Sequence, residues 1–407
     1  MILKNKNKIT LDKFISRALY DKSKGYYMKK NPIGKKGDFI TAPNISIMFS
    51  EILAIWTVAF WEKLKTPKKI NIVDLGGGNG EMICQILKSI KIFHNFKSCA
   101  KFYIFEKSPF LKKVQKKKIQ DNQVVWIDNL KKISNNPTIF IANEFFDAFP
   151  IKQFTKNKNW YEKFVYSKKN KLQFIDIKIK KSKIENMLGQ KISKNNKFIE
   201  FSPSAFKILN IISKKVKKYN GGILIIDYGY DKKRMFNTLQ SVKNHKKINI
   251  FKEIYKSDIT HMLNFNFYKK KIKNMKLGSI KFTTQRQFLL KMGIQERVRK
   301  SGAISASSAR GMSRGSSTRK RCAGRNRRSP PDCSGGDLPD RCDRPGLTLF
   351  DCESETDEKS PRRPGTHLFS RKIQTRFLAE ARHRGCAHAQ TPVRDKLHCR
   401  RLLRASR

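Results

Sequence analysis

The segment Val73-Asp74-Leu75-Gly76-Gly77-Gly78-Asn79-Gly80 restricts most strongly what this chain can fold into. It joins a short apolar run, Ile70 to Leu75, to a stretch with helical spacing of apolar residues, Glu81 to Ile90. Closely spaced glycines let the backbone turn tightly and let a ligand approach it, and the helix that follows offers free N–H groups. We therefore predict a nucleotide-type site at the carboxyl end of a β-strand.

Strand-like and helix-like segments alternate from residue 70 onwards. Further short apolar runs of β-type composition lie at Lys101 to Phe105, Val124 to Ile127, Thr138 to Ala142 and Gly222 to Asp227. Apolar strands that alternate with helices predict a parallel sheet that is covered by helices on both faces. The expected fold class is therefore α/β, with a Rossmann-like sheet.

The same patterns divide the chain into five segments. Residues 1–69 are expected to form an N-terminal helical cap segment, and residues 70–150 the Rossmann-like half with the glycine turn. The stretch between the fourth and fifth strands is too long for a simple crossover and contains a predicted hairpin, so residues 151–220 are interpreted as an inserted subdomain on the substrate side. Residues 221–297 complete the sheet, and residues 298–407 form a tail.

The tail differs abruptly in composition from the rest of the chain. Residues 1–300 hold 60 Lys and 5 Arg, whereas residues 301–407 hold 4 Lys and 20 Arg. The tail is also rich in Ser, Gly and Pro, and such a segment cannot bury enough apolar surface to offset its ordering entropy. We expect a basic tail of low order, and the sudden change favours a frame or fusion artefact. Its deletion is expected to leave folding and ligand binding unchanged.

Composition also bounds the partners and the compartment. The formal net charge of +57 admits a nucleic-acid partner, but A/T-rich codons for Lys, Asn, Ile and Phe explain most of the lysine without one. No run reaches the roughly 18 apolar residues of a membrane span, and the N-terminus lacks the apolar region of a secretory signal. Only Cys84 and Cys99 fall within the first 300 residues, and no cysteine spacing indicates a metal site. We expect no metal and a cytoplasmic location, with the mitochondrial matrix as the alternative.

Glycine spacing distinguishes between the kinds of nucleotide-type site. Dinucleotide binders need G-x-G-x-x-G, and here the third glycine comes one residue early, while the Gly-Lys-Ser/Thr of a phosphate loop is absent. Gly76, Gly78 and Gly80, behind the acidic Asp74, instead look like the S-adenosylmethionine motif of class I methyltransferases. Residues 70–150 are therefore expected to bind that cofactor.

Two further acids follow the next two strands. Glu106 ends the second strand, where Rossmann-like sites hold ribose hydroxyls with an acidic side chain. Asp128 follows the third strand, where it is expected to receive the adenine amino group. Taken singly, each could be a solvated acid at a strand end. Their order along successive strands favours a role in cofactor binding.

The fourth strand leads into Asn143-Glu144-Phe145-Phe146-Asp147, the loop that faces the transferred methyl group in this fold. Buried acids are costly unless a cation or hydrogen-bond donors meet them. Glu144 and Asp147 are therefore candidate catalytic residues that could grip a guanidinium group, and Asn143 is a further cofactor-binding candidate. The alternative interpretation is that Asn143 and Glu144 cap the following helix.

Several segments, taken in order, resemble the MidA family (mitochondrial dysfunction protein A), which includes the methyltransferase that assists complex I assembly in mitochondria. The matching segments are Gly37 to Pro43, Gly76 to Gly80, Phe105 to Pro109, Val125 to Asp128, Asn143 to Pro150, Phe201 to Ala205, Ile226 to Tyr230, Thr238 to Val242 and Thr284 to Ile294. The resemblance covers about residues 8 to 297. Two departures are Gly77, where the family usually has proline, and the loop Asp258 to Phe265, which has Met262 and Asn264 at its polar positions.

The resemblance implies a methyltransferase that uses S-adenosylmethionine and modifies an arginine on a complex I type subunit. Carried onto matching positions, it implies three sets of contacts: cofactor binding by Gly76, Gly78, Gly80, Glu106 and Asp128, closure over the cofactor by Gly37, Asp38 and Thr41, and substrate contact by Glu144. The partner would be a protein, and a homodimer stays open.

Two other functions compete with protein arginine methylation. An RNA methyltransferase is suggested by the positive charge, although the loop at Asn143 lacks the Asn/Asp-Pro-Pro-Tyr/Phe form typical of amino-group methylation of bases. A non-catalytic assembly chaperone that binds S-adenosylmethionine and uses residues 151–220 as its binding surface is the third.

Overall fold

The computed structural model describes residues 2–34 and 37–299 and, as a backbone strand only, residues 345–352. Within these residues the helices are α1 (Leu11–Tyr20), α2 (Tyr26–Lys29), α3 (Ala42–Ile45), α4 (Ile47–Lys63), α5 (Glu81–Ser89), α6 (His94–Cys99), α7 (Pro109–Lys118), α8 (Lys181–Leu188), α9 (Pro203–Tyr219), α10 (Phe265–Asn274) and α11 (Gln285–Lys291). The strands are β1 (Lys8–Thr10), β2 (Ile70–Leu75), β3 (Ala100–Phe105), β4 (Val124–Ile127), β5 (Thr138–Asn143), β6 (Lys152–Lys156), β7 (Trp160–Lys168), β8 (Lys171–Ile179), β9 (Phe198–Phe201), β10 (Gly221–Tyr230), β11 (Gln240–Lys243), β12 (Lys246–Ile248), β13 (Asp258–Thr260), β14 (Leu263–Asn264), β15 (Ile280–Thr284) and β16 (Pro345–Cys352).

The central sheet has the strand order β15-β16-β10-β5-β2-β3-β4, and the short β14 pairs with β10. Strands β10, β5, β2, β3 and β4 run parallel to one another, whereas β16 runs antiparallel to both of its neighbours. The predicted α/β class with a Rossmann-like parallel sheet is therefore confirmed.

The pairing register brings the carboxyl ends of the parallel strands to one edge of the sheet. Leu75 lies opposite Phe105, and Phe105 lies opposite Ile127. Towards the other side of the sheet, Ile226 lies opposite Asn143. The glycine turn and the acid-bearing segments after β3, β4, β5 and β10 therefore all begin at this edge.

Helices cover both faces of the central sheet because the strands are apolar on both sides. Ile70 and Ile72 of β2 pack with α4 and α5, whereas Val73 and Leu75 pack on the opposite face with α9 and α10. The predicted buried helix near residues 49–64 is confirmed as α4, whose residues are buried on nearly every side. None of the described helices is both long and apolar enough to cross a membrane.

A second sheet is formed mainly by the strands that lie between β5 and β10 in the sequence. Its order is β1-β7-β6-β9, and β8 also pairs with β7, so the predicted hairpin near residues 160–179 is present. Strand β1 brings the N-terminal segment into this sheet, a pairing that the sequence pattern does not indicate. A third sheet, β12-β11-β13, lies close to the N-terminal helices because its Ile259 packs with residues of α1.

Strand β16 differs from the predicted low-order tail. Its eight residues pair along their whole length with β10, and five of them also pair with β15. The alternation Leu347-Thr348-Leu349 is compatible with a strand, but it is too short to distinguish one from a chance pattern in the sequence. Residues 300–344 and 353–407, with the question of a frame or fusion artefact, lie outside the described residues.

Candidate active site

A cavity of about 260 Å³ opens at the carboxyl edge of the central sheet. Among the described residues, six segments line it: residues 16–28 of the N-terminal helices, residues 33 and 39–44, the glycine turn with the residues around it at 74–82, residues 105–111 from the end of β3, residues 143–150 from the end of β5, and Ser204 of α9. Concave sites at this edge of a parallel sheet are where α/β proteins bind their ligands. The cavity is therefore the candidate active site.

The glycine turn forms one wall of the cavity and adopts a backbone that side chains would hinder. Gly76 has φ of 74°, and a Cβ atom there would lie 2.7 Å from the ring atom Cδ2 of Phe145. The Gly76 N–H donates to the carbonyl of Phe105 at 2.9 Å, which ties the turn to the end of β3. The turn thus lies between the end of β3 and the loop after β5, and only glycine fits at its first position.

Asp74 lies on the cavity wall as a carboxylate without a partner. Its side chain is buried, and neither carboxylate oxygen accepts a hydrogen bond in the described structure. Burial, with a contribution from the charge of Glu106, raises the pKa of Asp74 to about 7. A ligand that brings a positive charge or an N–H donor would satisfy this group. S-adenosylmethionine carries both, in its sulfonium and its ammonium, so the cavity fits that cofactor.

Glu106 lies on the same cavity wall, at the end of β3. One of its carboxylate oxygens accepts from the N–H of Ser108 at 2.8 Å, and the other accepts from Nε2 of Gln115 at 3.2 Å. Burial raises the pKa of Glu106, and these hydrogen bonds oppose that effect. The carboxylate is held in one orientation with remaining lone pairs, which suits two adjacent hydroxyls such as those of a ribose.

The structure brings together seven of the predicted site residues and leaves the others outside the cavity. Those that line the cavity are Thr41, Asp74, Gly76, Gly78, Glu106, Asn143 and Glu144. Those that do not are Gly37, Asp38, Gly80, Asp128 and Asp147. Gly80 begins α5 with φ of 79°, and Gly37 packs tightly against the carbonyl of Pro32, so both glycines shape the backbone near the cavity.

Asp38 and Asp128 have partners elsewhere in the described structure. The buried carboxylate of Asp38 accepts from the Tyr26 hydroxyl at 2.7 Å, from Lys30 Nζ at 2.6 Å and from the N–H of Asn244 at 3.1 Å. Asp128 is 59% exposed, and its carboxylate binds Nζ of Lys132 at 2.7 Å. Asp38 therefore ties its own segment to α2 and to the hairpin formed by β11 and β12. The adenine contact expected of Asp128 stays a prediction.

The loop after β5 is fixed by the end of β10. The N–H of Glu144 donates to the carbonyl of Ile226 at 2.8 Å, and the Asp227 carboxylate accepts from the N–H groups of Phe146 and Asp147 at 2.9 and 3.3 Å. Glu144 has φ of 48°, a conformation that costs a non-glycine residue energy and persists where its surroundings enforce it. These contacts aim the Glu144 side chain into the cavity.

Glu144 belongs to a group of partly and fully buried acids around this loop. Burial, with the nearby charge of Asp147, raises the pKa of Glu144 to about 8. Burial likewise raises the pKa of Asp147 to about 6, although a hydrogen bond from Thr260 opposes the shift. Burial and the charges of Asp147 and Glu144 raise the pKa of Asp227. Repulsion among these acids would be relieved by a cation that enters from the cavity.

Within the described residues, no cation forms an ion pair with these three acids. None of the ion pairs in residues 2–34 and 37–299 involves Glu144, Asp147 or Asp227. Glu144 accepts only long hydrogen bonds, from the N–H of Ala42 at 3.4 Å and from Nδ2 of Asn143 at 3.5 Å. In the same residues, no cluster of His, Cys, Asp and Glu could hold a metal ion. The carboxylate of Glu144, which faces the cavity, is therefore available to bind a cationic ligand.

Two residues that the sequence analysis missed support the site. Asp227 fixes the loop after β5, and the rule that acids at strand ends are functional could have identified it. Gln115 contacts both Glu106 and the glycine turn. The only feature of the sequence that could have identified it is a polar residue on the apolar face of α7, beside Leu111 and Ile119.

Comparison with known proteins gives consistent matches. A sequence profile of the family described as "Putative S-adenosyl-L-methionine-dependent methyltransferase" matches residues 52–283. The mitochondrial protein arginine methyltransferase NDUFAF7 of Xenopus laevis is 27% identical over an alignment 336 residues long, and the alignment covers 73% of this chain and 74% of that protein. The human protein of the same name is 26% identical over an alignment 325 residues long, and the alignment covers 73% of each chain.

A solved structure shares the fold. A protein from Burkholderia thailandensis, crystallised with S-adenosyl-homocysteine, matches with a TM-score of 0.63 and 18% identity over 84% of this chain and 88% of that chain. The curated relatives carry "mitochondrial" in their names, which agrees with the alternative compartment. The expected cytoplasmic location finds no support in these comparisons.

Proposed function

Because the chain belongs to the family of S-adenosyl-L-methionine-dependent methyltransferases, we propose that it methylates arginine side chains of protein substrates. Membership of this family confirms the predicted enzyme class and the predicted cofactor. The relatives' names motivate the choice of arginine, and the half-buried position of Glu144, without an ion pair to any described cation, is the observation that carries it.

A guanidinium group matches what Glu144 lacks. Arginine stays protonated at ordinary pH, and its planar fork of N–H donors suits a carboxylate. Binding it would place a positive charge beside Glu144, and therefore lower the raised pKa of that carboxyl and ionise it. The phosphates of an RNA would be repelled by the same acids, so the charge of the site favours a protein substrate over an RNA.

The residues of this chain would act mainly by alignment and charge. When bound, S-adenosylmethionine supplies a methyl group on a positively charged sulfur. Glu144 would hold the guanidinium with one nitrogen towards that methyl group, localise its charge, and accept the proton that the nitrogen releases when the new N–C bond forms. Asp227 would keep the loop in place, and alignment of this kind is worth at most about 7–11 kcal/mol of the barrier.

The finer identity of the substrate rests on the resemblance of the sequence to the MidA family. We extend the proposal to a subunit of a complex I type assembly, in a mitochondrial compartment, with residues 151–220 on the substrate side. The segment that would face such a substrate includes β6, which leads directly out of the loop that carries Glu144.

Labelling of a cell extract tests the proposed function. The full chain is incubated with S-adenosylmethionine labelled in its methyl group and with an extract depleted of small molecules, and the products are hydrolysed to amino acids. The label is expected in ω-N-methylarginine. Label that is lost on nuclease treatment would instead support an RNA methyltransferase. Bound cofactor without any labelled product would support a non-catalytic chaperone.

A further inference from the structure

Gln115 joins three parts of the cofactor site through one amide. Its side chain is fully buried in α7, and Nε2 donates to the carbonyl of Gly78 at 2.8 Å and to the carboxylate of Glu106 at 3.2 Å. Its Oε1 accepts from the indole N–H of Trp126 on β4 at 3.0 Å. The glycine turn, the acid at the end of β3 and the neighbouring strand therefore meet at this side chain.

The chemistry of the partners fixes which way the amide points. An indole N–H can only donate, so the oxygen of Gln115 must face Trp126 and the nitrogen must face Gly78 and Glu106. Both amide hydrogens are then used, one on a backbone carbonyl and one on a carboxylate. No other common side chain of this size offers two donors and an acceptor in that arrangement, since glutamate has no donor when ionised.

These contacts act on groups that line the cavity. The Gly78 carbonyl is held against α7, and Gly78 has φ of 53°, so this bond fixes the conformation of the turn where it borders the cavity. The bond to Glu106 fixes the rotation of the carboxylate expected to meet ribose hydroxyls. Gly77 leaves room for the amide, because a Cβ at that position would lie 3.1 Å from Gln115 Nε2.

We infer that Gln115 is a positioning residue that sets the affinity for S-adenosylmethionine by holding the glycine turn and the Glu106 carboxylate in one geometry. The inference rests on the cofactor site of the proposed function. It requires no direct contact between Gln115 and the cofactor, because both contacts are made through residues on the cavity wall.

Gln115→Glu tests the inference with almost no change in volume. At pH 8 the new carboxylate donates no hydrogen bond and repels Glu106, so the Kd for S-adenosylmethionine, measured by calorimetry, is expected to rise about tenfold or more. At pH 6 the new carboxyl, buried near Glu106 with Lys112 as a cation that acts on Glu106, is largely protonated, and part of the affinity is expected to return relative to the unchanged protein at the same pH. Gln115→Met, which has no donor at any pH, should show the loss at both pH values.

Gln120→Glu is the matched control, because it makes the same chemical change at an exposed position just after α7. It should bind S-adenosylmethionine like the unchanged protein, and that binding tests the proposed function separately from the role of Gln115. A purely structural role would lower the melting temperature of the Gln115 variants without a pH-dependent change in Kd. Such a result, or an unchanged Kd in Gln115→Glu at pH 8, would overturn the inference.

If the Gln115 variants do not fold, Trp126→Phe tests the same inference at the partner of the Gln115 amide oxygen. It removes the N–H that orients the amide, together with part of the indole ring, in a side chain that is partly exposed. The Kd for S-adenosylmethionine is expected to rise roughly three- to tenfold, since the amide can then rotate away from Gly78 and Glu106. An unchanged Kd in this variant would show that the orientation of Gln115 does not matter for the cofactor.

Discussion

Glu144→Gln is expected to lower the rate of methyl transfer at saturating substrate on the order of 10²–10³-fold. The amide has nearly the same shape, but it cannot balance the charge of a guanidinium or accept the released proton. The Kd for S-adenosylmethionine should change by less than about threefold, because the residues that hold the cofactor are untouched. Single-turnover kinetics and calorimetry on the same preparation separate the two effects.

Glu200→Gln provides a matched control for the burial of a neutral amide. Glu200 is also a buried acid whose pKa burial raises to about 7, but it bonds Thr238 and Gln153 and does not line the cavity. Its replacement is expected to alter the melting temperature and to leave the rate of methyl transfer close to that of the unchanged protein. If Glu144→Gln retained a third or more of the rate, Glu144 would not be the group that holds the substrate.

Gly76→Ala is expected to raise the Kd for S-adenosylmethionine on the order of 100-fold or to abolish detectable binding. A non-glycine residue at φ of 74° costs about 1–2 kcal/mol. The added methyl would also displace the ring of Phe145, which it would approach to 2.7 Å, and so disturb the loop that carries Glu144. Calorimetry of the apo protein with S-adenosylmethionine measures the effect.

Gly189→Ala separates backbone strain from damage to the site. Gly189 follows α8 with φ of 61°, and a Cβ there would meet only Nζ of Lys271, at 3.4 Å. This variant should suffer a backbone strain similar to that of Gly76→Ala, without its clash, and bind the cofactor normally. Equal loss of binding in both variants would mean that affinity responds to general stability and that the glycine turn has no special role.

The sequence pattern predicted the parallel sheet and the segments at its carboxyl edge because both depend on backbone periodicity. Apolar runs such as those of β2 and β10 are buried on both faces, and parallel strands must end at a common edge. Glycine spacing identified Gly76 behind the acidic Asp74, and positions at strand ends, with the family resemblance, identified Glu106 and Glu144. The structure places all four on one cavity.

The direction of each side chain could not be predicted, since it depends on tertiary partners. Asp128 follows its strand as Glu106 does, yet Lys132 four residues later holds its carboxylate at the surface. Asp38 is adjacent in sequence to Phe39, which lines the cavity, but its carboxylate accepts hydrogen bonds from Tyr26 in α2 and from Asn244, more than 200 residues later in the chain. Strand β16 escaped prediction because eight residues with a weak alternation carry too little signal.

Hydrogen–deuterium exchange of the full chain with and without S-adenosylmethionine tests most directly whether this one cavity holds the cofactor. We predict slower exchange in residues 37–44, 76–80, 105–108 and 143–149 when the cofactor is bound, and slower exchange in residues 128–132 would support the adenine contact predicted for Asp128. Protection confined to other regions, with the glycine turn and the Glu144 loop unaffected, would contradict the account.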